Sequence, residues 1–144
     1  MKASHSDALV LFGVTGDLAH KMIFPALYAM VKRGTLKVPI IGVALPNWSV
    51  ARLHKRVTES IERSGGVDNQ RALHHLLSLL KYVSGDYDDP NTFTAIKSAL
   101  GSARRPAHYL AIPPSLFEMV IKGLGAANLA AHAQIGRASC RERV

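Results

Sequence analysis

Residues 8–19 read ALVLFGVTGDLA, an unbroken apolar run followed by two glycines and a small residue. The run from Ala8 to Phe12 lacks the alternation of a half-exposed strand. It therefore predicts a strand buried on both faces, as in a parallel sheet. The pattern G-x-x-G-x-x-A that follows connects this strand to a helix. In that position the pattern is typical of a loop that holds the phosphates of a nucleotide.

Each small residue of this loop has a separate expected role. Gly13 permits a tight turn, Gly16 lets a pyrophosphate approach the backbone, and Ala19 lets the helix pack closely on the strand. Free amides at the helix N-terminus attract phosphate. Asp17 either interacts favourably with the helix dipole or shapes the loop around a cofactor. An ordinary glycine turn between a strand and a helix is the alternative interpretation.

The rest of the chain alternates between apolar runs and amphipathic stretches. Further strands are predicted at 38–44, 82–84 and 108–112, and helices at 18–33, 49–63, 69–80, 90–100 and 115–122. Pro25 lies inside the first helix and should kink it. Strands separated by helical crossovers predict an α/β fold, a Rossmann-type doubly wound parallel sheet in the order 3-2-1-4. About four strands are expected, so the sheet is incomplete relative to the six or so of a full dinucleotide fold.

Composition narrows the classes of function. The 144 residues are 48% hydrophobic and fit one domain with a real core. No apolar run is long enough to cross a membrane. A single cysteine excludes a disulfide framework and a cysteine-rich zinc site. No metal is expected, because no carboxylate or cysteine completes a ligand set with the histidines at suitable spacing. The net charge of +8 is scattered and only 6% of residues are aromatic, which argues against nucleic-acid binding and favours an anionic small molecule. A cytoplasmic location is expected.

The last ten residues, IGRASCRERV at 135–144, have no apolar periodicity and resemble a translated sequencing adapter. We therefore expect residues 1–134 to be a fragment of an N-terminal dinucleotide-binding domain and residues 135–144 to be a non-native tail. On this interpretation the natural reading frame continues beyond Gln134. A divergent natural tail is the alternative.

The segment ALPNW at 44–48 follows the second predicted strand, where many such domains select their cofactor. It contains no acid, which argues against selection of NAD by a carboxylate bonded to the ribose. It contains no basic residue either, since position 45 is Leu45. The following helix carries Arg52, Lys55 and Arg56, which could reach a 2′-phosphate, although a solvated helix face is the preferred interpretation.

Four stretches carry a family resemblance. They are LFGVTGDLA with IFPALY (11–28), IGVA with a tryptophan four residues on (41–48), GDYDD (85–89) and YLAIPPSLF (109–117). In order and spacing they resemble the start of the glucose-6-phosphate dehydrogenases. The resemblance implies oxidation of glucose 6-phosphate to the phosphogluconolactone with NADP, with NAD also possible. It also implies a homo-oligomer when complete, and an α+β catalytic domain that is missing here.

The resemblance also implies site residues. The glycine loop would surround the pyrophosphate, Leu45 stands where the family commonly has a basic residue for the 2′-phosphate, and Met22 stands where many members have a lysine near the substrate. The GDYDD stretch would line the adenine side, and the segment ending in Phe117 the nicotinamide side. The candidate cofactor-binding residues are Gly13, Val14, Thr15, Gly16, Asp17, Leu18, Leu45, Asp86, Tyr87 and Phe117.

No catalytic residue is assigned. Hydride transfer from a sugar needs a base, and the family's catalytic histidine lies in a segment beyond this chain, so the fragment alone is expected to be inactive. Two other functions stay open. A short-chain reductase needs Tyr-x-x-x-Lys, but the one such spacing, Tyr28 to Lys32, lies on the first helix. A stand-alone Rossmann nucleotide-binding scaffold or sensor needs no catalysis.

Overall fold

A five-stranded parallel sheet in the order β3-β2-β1-β4-β5 forms the centre of the computed structural model. The structure describes residues 7–103, 105–127 and 134–137. The strands are β1 (Ala8–Phe12), β2 (Ile40–Ala44), β3 (Leu80–Ser84), β4 (Pro106–Leu110) and β5 (Gln134–Arg137). The helices are α1 (Phe24–Lys32), α2 (Val50–Arg63), α3 (Gln70–Leu79), α4 (Pro90–Leu100) and α5 (Phe117–Ala126).

The predicted order 3-2-1-4 is confirmed, and every described pair in the sheet is parallel. The prediction of about four strands leaves the outer edge of β4 unpaired. In the structure β5 pairs with that edge, with Ala107 opposite Gln134 and Leu110 opposite Arg137. Because strand pairing uses backbone groups, a segment without an apolar pattern can still complete it. Three residues of the predicted tail therefore lie in the sheet.

Both faces of the sheet are covered, which explains the continuous apolar runs. One face packs under α1, α2 and α3 in a core that includes Leu11, and the other packs under α4 and α5 in a core that includes Val10 and Phe12. Neighbouring side chains of β1 point to opposite faces, so one short strand contributes to both cores. The prediction that β1 is buried on both faces is confirmed, and β2 is buried along its whole length as well.

The first predicted helix is divided in two. A π-helical turn at Ala19–Ile23 precedes α1, and the amide of Phe24 bonds the carbonyl of Ala19, five residues back. Pro25 is the second residue of α1, and its missing amide cannot bond a carbonyl of the preceding turn. The regular hydrogen-bond pattern is therefore interrupted by a wider turn just before Pro25, and the expected kink stays a prediction. The sequence pattern could not distinguish a kink from a wider turn, because both keep the apolar side chains on one face.

The other elements start close to their predicted limits. Ser49, the first residue of the predicted range 49–63, caps α2, because its hydroxyl accepts a hydrogen bond from the Arg52 amide at 3.1 Å. Strand β2 begins after Pro39, whose carbonyl accepts a bond from the Leu9 amide. β3 and β4 each begin two residues earlier than predicted, at Leu80 and Pro106.

Candidate functional site

The glycine loop lies at the carboxyl edge of the sheet, directly after β1. β1 lies between β2 and β4. The chain continues from β1 to β2 on one side and later returns to β4 on the other side, so the strand order reverses at this point. Ligands of open α/β sheets bind in the crevice that such a reversal opens. The amide of Gly13 bonds the Val43 carbonyl at 2.8 Å, and the amide of Gly16 closes the turn on the Gly13 carbonyl at 3.0 Å.

Gly13 is required by the shape of this turn. Its φ is +83°, and a Cβ there would lie 2.2 Å from the Ala111 carbonyl oxygen. The expectation that Gly13 permits the tight turn is confirmed. Gly16 is different, because a Cβ there would meet only the Gly13 oxygen, at 3.4 Å. The space beside Gly16 is open, as the approach of a phosphate group requires.

The helix that follows begins with unused donors. Its first helical hydrogen bond runs from the His20 amide to the Gly16 carbonyl at 3.2 Å. The amides of Asp17, Leu18 and Ala19 therefore have no intrahelical acceptor, as at any helix N-terminus. Such amides bind phosphate without a charged side chain. The expected packing role of Ala19 is confirmed, since its side chain is fully buried.

Val14 and Thr15 complete the loop in different ways. Val14 is buried, and its methyl carbons would lie 2.9 and 3.0 Å from a Cβ at Gly42. The loop is thus seated on the glycine of β2. Thr15 is half-buried and Asp17 is exposed. Val14 is therefore a packing residue of the loop, and its part in binding a cofactor stays a prediction.

The structure brings Tyr87 to the glycine loop. Its ring packs edge-on against Phe12, with 5.8 Å between the centroids. Its hydroxyl donates to the Val43 carbonyl at 3.4 Å, the same carbonyl that holds the Gly13 amide. Burial raises the pKa of Tyr87 to about 12, although a hydrogen bond with the backbone of Gly13 opposes this. The Tyr87 hydroxyl is therefore a neutral hydrogen-bond donor at physiological pH.

Asp86 lies in the exposed turn before α4. Its carboxylate accepts a bond from the Asp88 amide at 3.3 Å, and its carbonyl accepts one from the Thr92 hydroxyl at 2.7 Å. These bonds shape the turn. A role for Asp86 beside the adenine stays a prediction.

Phe117 does not line an open surface. It is the first residue of α5 and is 9% exposed, packed among the apolar side chains between the sheet and α4 and α5. The preceding residues, Pro114–Leu116, form a single 3₁₀ turn. The expected place of Phe117 on the nicotinamide side stays a prediction.

Leu45 follows directly after β2, and two arginines at the start of α2 lie near the same segment. Leu45 is 63% exposed, and its carbonyl accepts a bond from the Ser84 hydroxyl. Arg52 lies 4.6 Å and Arg56 6.0 Å from the ring of Trp48, measured from each guanidinium carbon to the ring centroid. Arg52 is exposed and Arg56 is half-buried, so a solvated helix face still describes Arg52, and the reach of either arginine to a 2′-phosphate stays a prediction. The four-residue spacing of all three residues was the signal that could have found the contact.

His20 lies beside Arg56 at the π-helical turn, and its carbonyl accepts a bond from the Ser60 hydroxyl of α2. Partial burial, followed by the charges of Arg56 and Arg63, lowers the pKa of His20 below its usual 6.5. Among the described residues, no three carboxylate, histidine or cysteine side chains come together to hold a metal. Within the same ranges, no helix is long and apolar enough to cross a membrane.

The family model described as "Glucose-6-phosphate dehydrogenase, NAD binding domain" matches residues 10–139. This chain belongs to the glucose-6-phosphate dehydrogenase family. The family match extends five residues beyond Gln134. The division at Gln134 into a domain fragment and a tail stays a prediction.

Individual members of the glucose-6-phosphate dehydrogenase family agree with this assignment. Glucose-6-phosphate 1-dehydrogenase 1 of Mycobacterium tuberculosis is 40% identical over 130 residues, which cover 90% of this chain and 28% of the relative. The cytoplasmic isoform of Solanum tuberosum is 34% identical over 129 residues, covering 80% of this chain and 25% of the relative. The chain thus spans little more than a quarter of the length of these relatives.

Solved structures of the family share the fold. The glucose-6-phosphate 1-dehydrogenase of Mycobacterium avium superposes with a TM-score of 0.87 at 38% identity, over 92% of this chain and 29% of that chain. A glucose-6-phosphate dehydrogenase in complex with glucose 6-phosphate gives a TM-score of 0.78 at 26% identity, over 92% of this chain and 30% of that chain. The part of the glucose-6-phosphate dehydrogenase fold present here is therefore its dinucleotide-binding domain.

Proposed function

We propose that this chain is the cofactor-binding part of a glucose-6-phosphate 1-dehydrogenase, which oxidises glucose 6-phosphate to the 6-phosphogluconolactone with NADP or NAD. The observation that carries the proposal is the glycine loop at the point where the strand order reverses. There Gly13 is confined by Ala111 of the opposite crossover, while the space beside Gly16 is open. A family match of 130 residues supports the same function.

The residues present fit a dinucleotide. The backbone from Gly13 to Leu18 would hold the pyrophosphate through the unused amides of the helix N-terminus. Tyr87 and Asp86 would lie on the adenine side, Leu45 beside the ribose, and the segment ending in Phe117 on the nicotinamide side. The bound cofactor supplies the hydride acceptor. The chain's own contribution is to bind and orient it.

The remaining parts of the reaction are proposed for the rest of a longer protein. Removal of the sugar hydroxyl proton needs a base. We assign none of the described residues to that task, and place the base and the glucose 6-phosphate site in the part of the family's length that these residues do not span. A cytoplasmic location, as in the name of the potato relative, and a homo-oligomer of the complete protein belong to the same proposal.

Binding of NADP and NAD tests the first part. Trp48 is the one tryptophan of the sequence and lies beside the proposed site, so its fluorescence should change on titration with either dinucleotide. Gly16→Ala should weaken both affinities by about tenfold or more, which corresponds to about 1.4 kcal/mol. Its effect on stability should be about 1 kcal/mol or less, because the new Cβ meets one ordinary contact.

Gly34→Ala is the matched control for this test, because Gly34 ends α1 with open space around it. It should leave both affinities unchanged. Failure of both dinucleotides to bind, or full binding by Gly16→Ala, would disprove the proposed site. Separately, the chain should form no reduced cofactor from glucose 6-phosphate. Measurable turnover would show that the base lies within these residues after all.

A further inference from the structure

Trp48, Arg52 and Arg56 form a surface cluster, here called the Trp48 cluster, at the start of α2. The two arginines lie 4.6 and 6.0 Å from the indole ring. An Arg56 guanidinium nitrogen, Nη2, also lies 3.8 Å from the Asp17 carboxylate in the first turn after the glycine loop. The cluster therefore bridges the segment that follows β2 and the loop that follows β1.

This is the position at which the fold presents the adenosine ribose. In doubly wound dinucleotide domains the group at the end of the second strand contacts the ribose 2′ position, and an arginine nearby accommodates a 2′-phosphate. The segment after β2 is fixed against β3, because its Leu45 and Pro46 carbonyls accept bonds from the Ser84 and Tyr82 hydroxyls. Its side chain at position 45 carries no charge.

The two arginines are held in place but remain able to bind an anion. Stacking on an indole uses the face of a guanidinium and leaves its N–H edge available. The ion pair of Arg56 is long, and the Asp17 side chain is 89% exposed, so this pair contributes little and exchanges easily for a phosphate. Arg56 Nε is buried and has no hydrogen-bond partner within the described residues.

We propose that Arg52 and Arg56, positioned by Trp48, bind the 2′-phosphate of NADP and make the chain prefer NADP to NAD. This inference rests on the proposed function, since it selects between the two dinucleotides at that site. The charge that an arginine at the end of β2 would supply comes instead from the first two turns of α2. Trp48 acts as a positioning residue that sets the direction of both guanidinium groups.

The test is calorimetric titration of the chain with NADP, NAD, 2′,5′-ADP and inorganic phosphate. We expect NADP to bind at least about tenfold more tightly than NAD, as charge-assisted hydrogen bonds to one phosphate provide. Arg52→Gln and Arg56→Gln should each reduce this ratio by about three- to tenfold, and the double variant should abolish it. The affinity for NAD should stay within about twofold in all three variants.

Lys55→Gln is the matched control, because it removes the same charge from an exposed position on the same helix. It should leave the ratio unchanged. Trp48→Leu should reduce the ratio, and Trp48→Phe should restore it, since a ring again supports the guanidinium groups. Tight binding of 2′,5′-ADP together with weak binding of inorganic phosphate would show that the ligand is the nucleotide 2′-phosphate and not a free anion.

The outcomes separate this inference from the proposed function. Equal binding of NADP and NAD by the unmodified chain would overturn the inference and leave the proposed function standing. An equal loss of the ratio in Lys55→Gln would also overturn it, because any nearby cation would then suffice. Inorganic phosphate that binds as tightly as 2′,5′-ADP would overturn it as well. Absence of binding by both dinucleotides would overturn both proposals. Thermal unfolding of each variant checks that the fold is kept.

Discussion

Replacing Gly13 by alanine should damage the fold and the site together. The new Cβ would lie 2.2 Å from the Ala111 carbonyl oxygen and 2.9 Å from Ile112 Cγ2. The first of these is a backbone atom, and Ala111 is itself fixed by a bond from its amide to the Phe12 carbonyl at 3.0 Å. Neither partner can move without separating the ends of β1 and β4.

Two costs add at this position. A φ of +83° costs a residue with a side chain about 1–2 kcal/mol. Overpacking against a fixed backbone adds about 1–3 kcal/mol. The expected loss is therefore about 2–5 kcal/mol, a large part of the stability of an ordinary domain. Urea unfolding at constant pH, followed by circular dichroism, measures it.

Gly34→Ala separates the two costs. Gly34 has a similar φ of +76° but nothing within 4 Å of a new Cβ, so it reports the backbone cost alone. We expect Gly13→Ala to be more destabilising than Gly34→Ala by at least about 1 kcal/mol. Equal losses in the two variants would refute the argument that contact with the opposite crossover makes glycine necessary at position 13.

Three further predictions concern packing, a hydrogen-bond cluster and pH. Gly123→Ala should lower the free energy of unfolding by about 1–3 kcal/mol, since its Cβ would lie 2.3 Å from the buried Phe93 ring. Gly125→Ala in the same helix has open space and should raise it by about 0.5–1 kcal/mol, and thermal unfolding compares the two variants. Tyr28→Phe should cost about 1–3 kcal/mol in urea unfolding, because two amides just before α3 donate to its hydroxyl oxygen at 2.9 and 3.1 Å. Burial raises the pKa of Tyr87 from 10 to about 12. Its contribution to the free energy of unfolding is therefore fully present below pH 10 and is lost as the pH rises towards 12. Urea unfolding curves measured across this range should show a smaller loss of stability in Tyr87→Phe than in the unmodified chain.

The sequence was informative where one local pattern determines the structure. β1 and its glycine loop were predictable because a doubly buried strand and a tight turn each limit the residue types allowed. The π-helical turn was not, because apolar periodicity does not report which carbonyl the chain bonds around Pro25. β5 was not, because its pairing uses backbone groups. Phe117 was placed near a ligand by its position in a motif, while its burial depends on the packing of α5.

Cofactor selectivity should be located in the Trp48 cluster and not in the glycine loop. The pyrophosphate is the same in NAD and NADP, so the amides after Gly16 stabilise both cofactors equally and cannot discriminate between them. Gly16→Ala should therefore weaken both affinities and keep their ratio, whereas the arginine variants should change the ratio and keep the affinity for NAD. The long ion pair from Arg56 to Asp17 joins the two regions, and the Asp17 side chain is too exposed for this pair to couple them strongly. The effects of Gly16→Ala and Arg52→Gln on NADP binding should add, and a coupling above about 0.5 kcal/mol would show that loop and cluster act as one site.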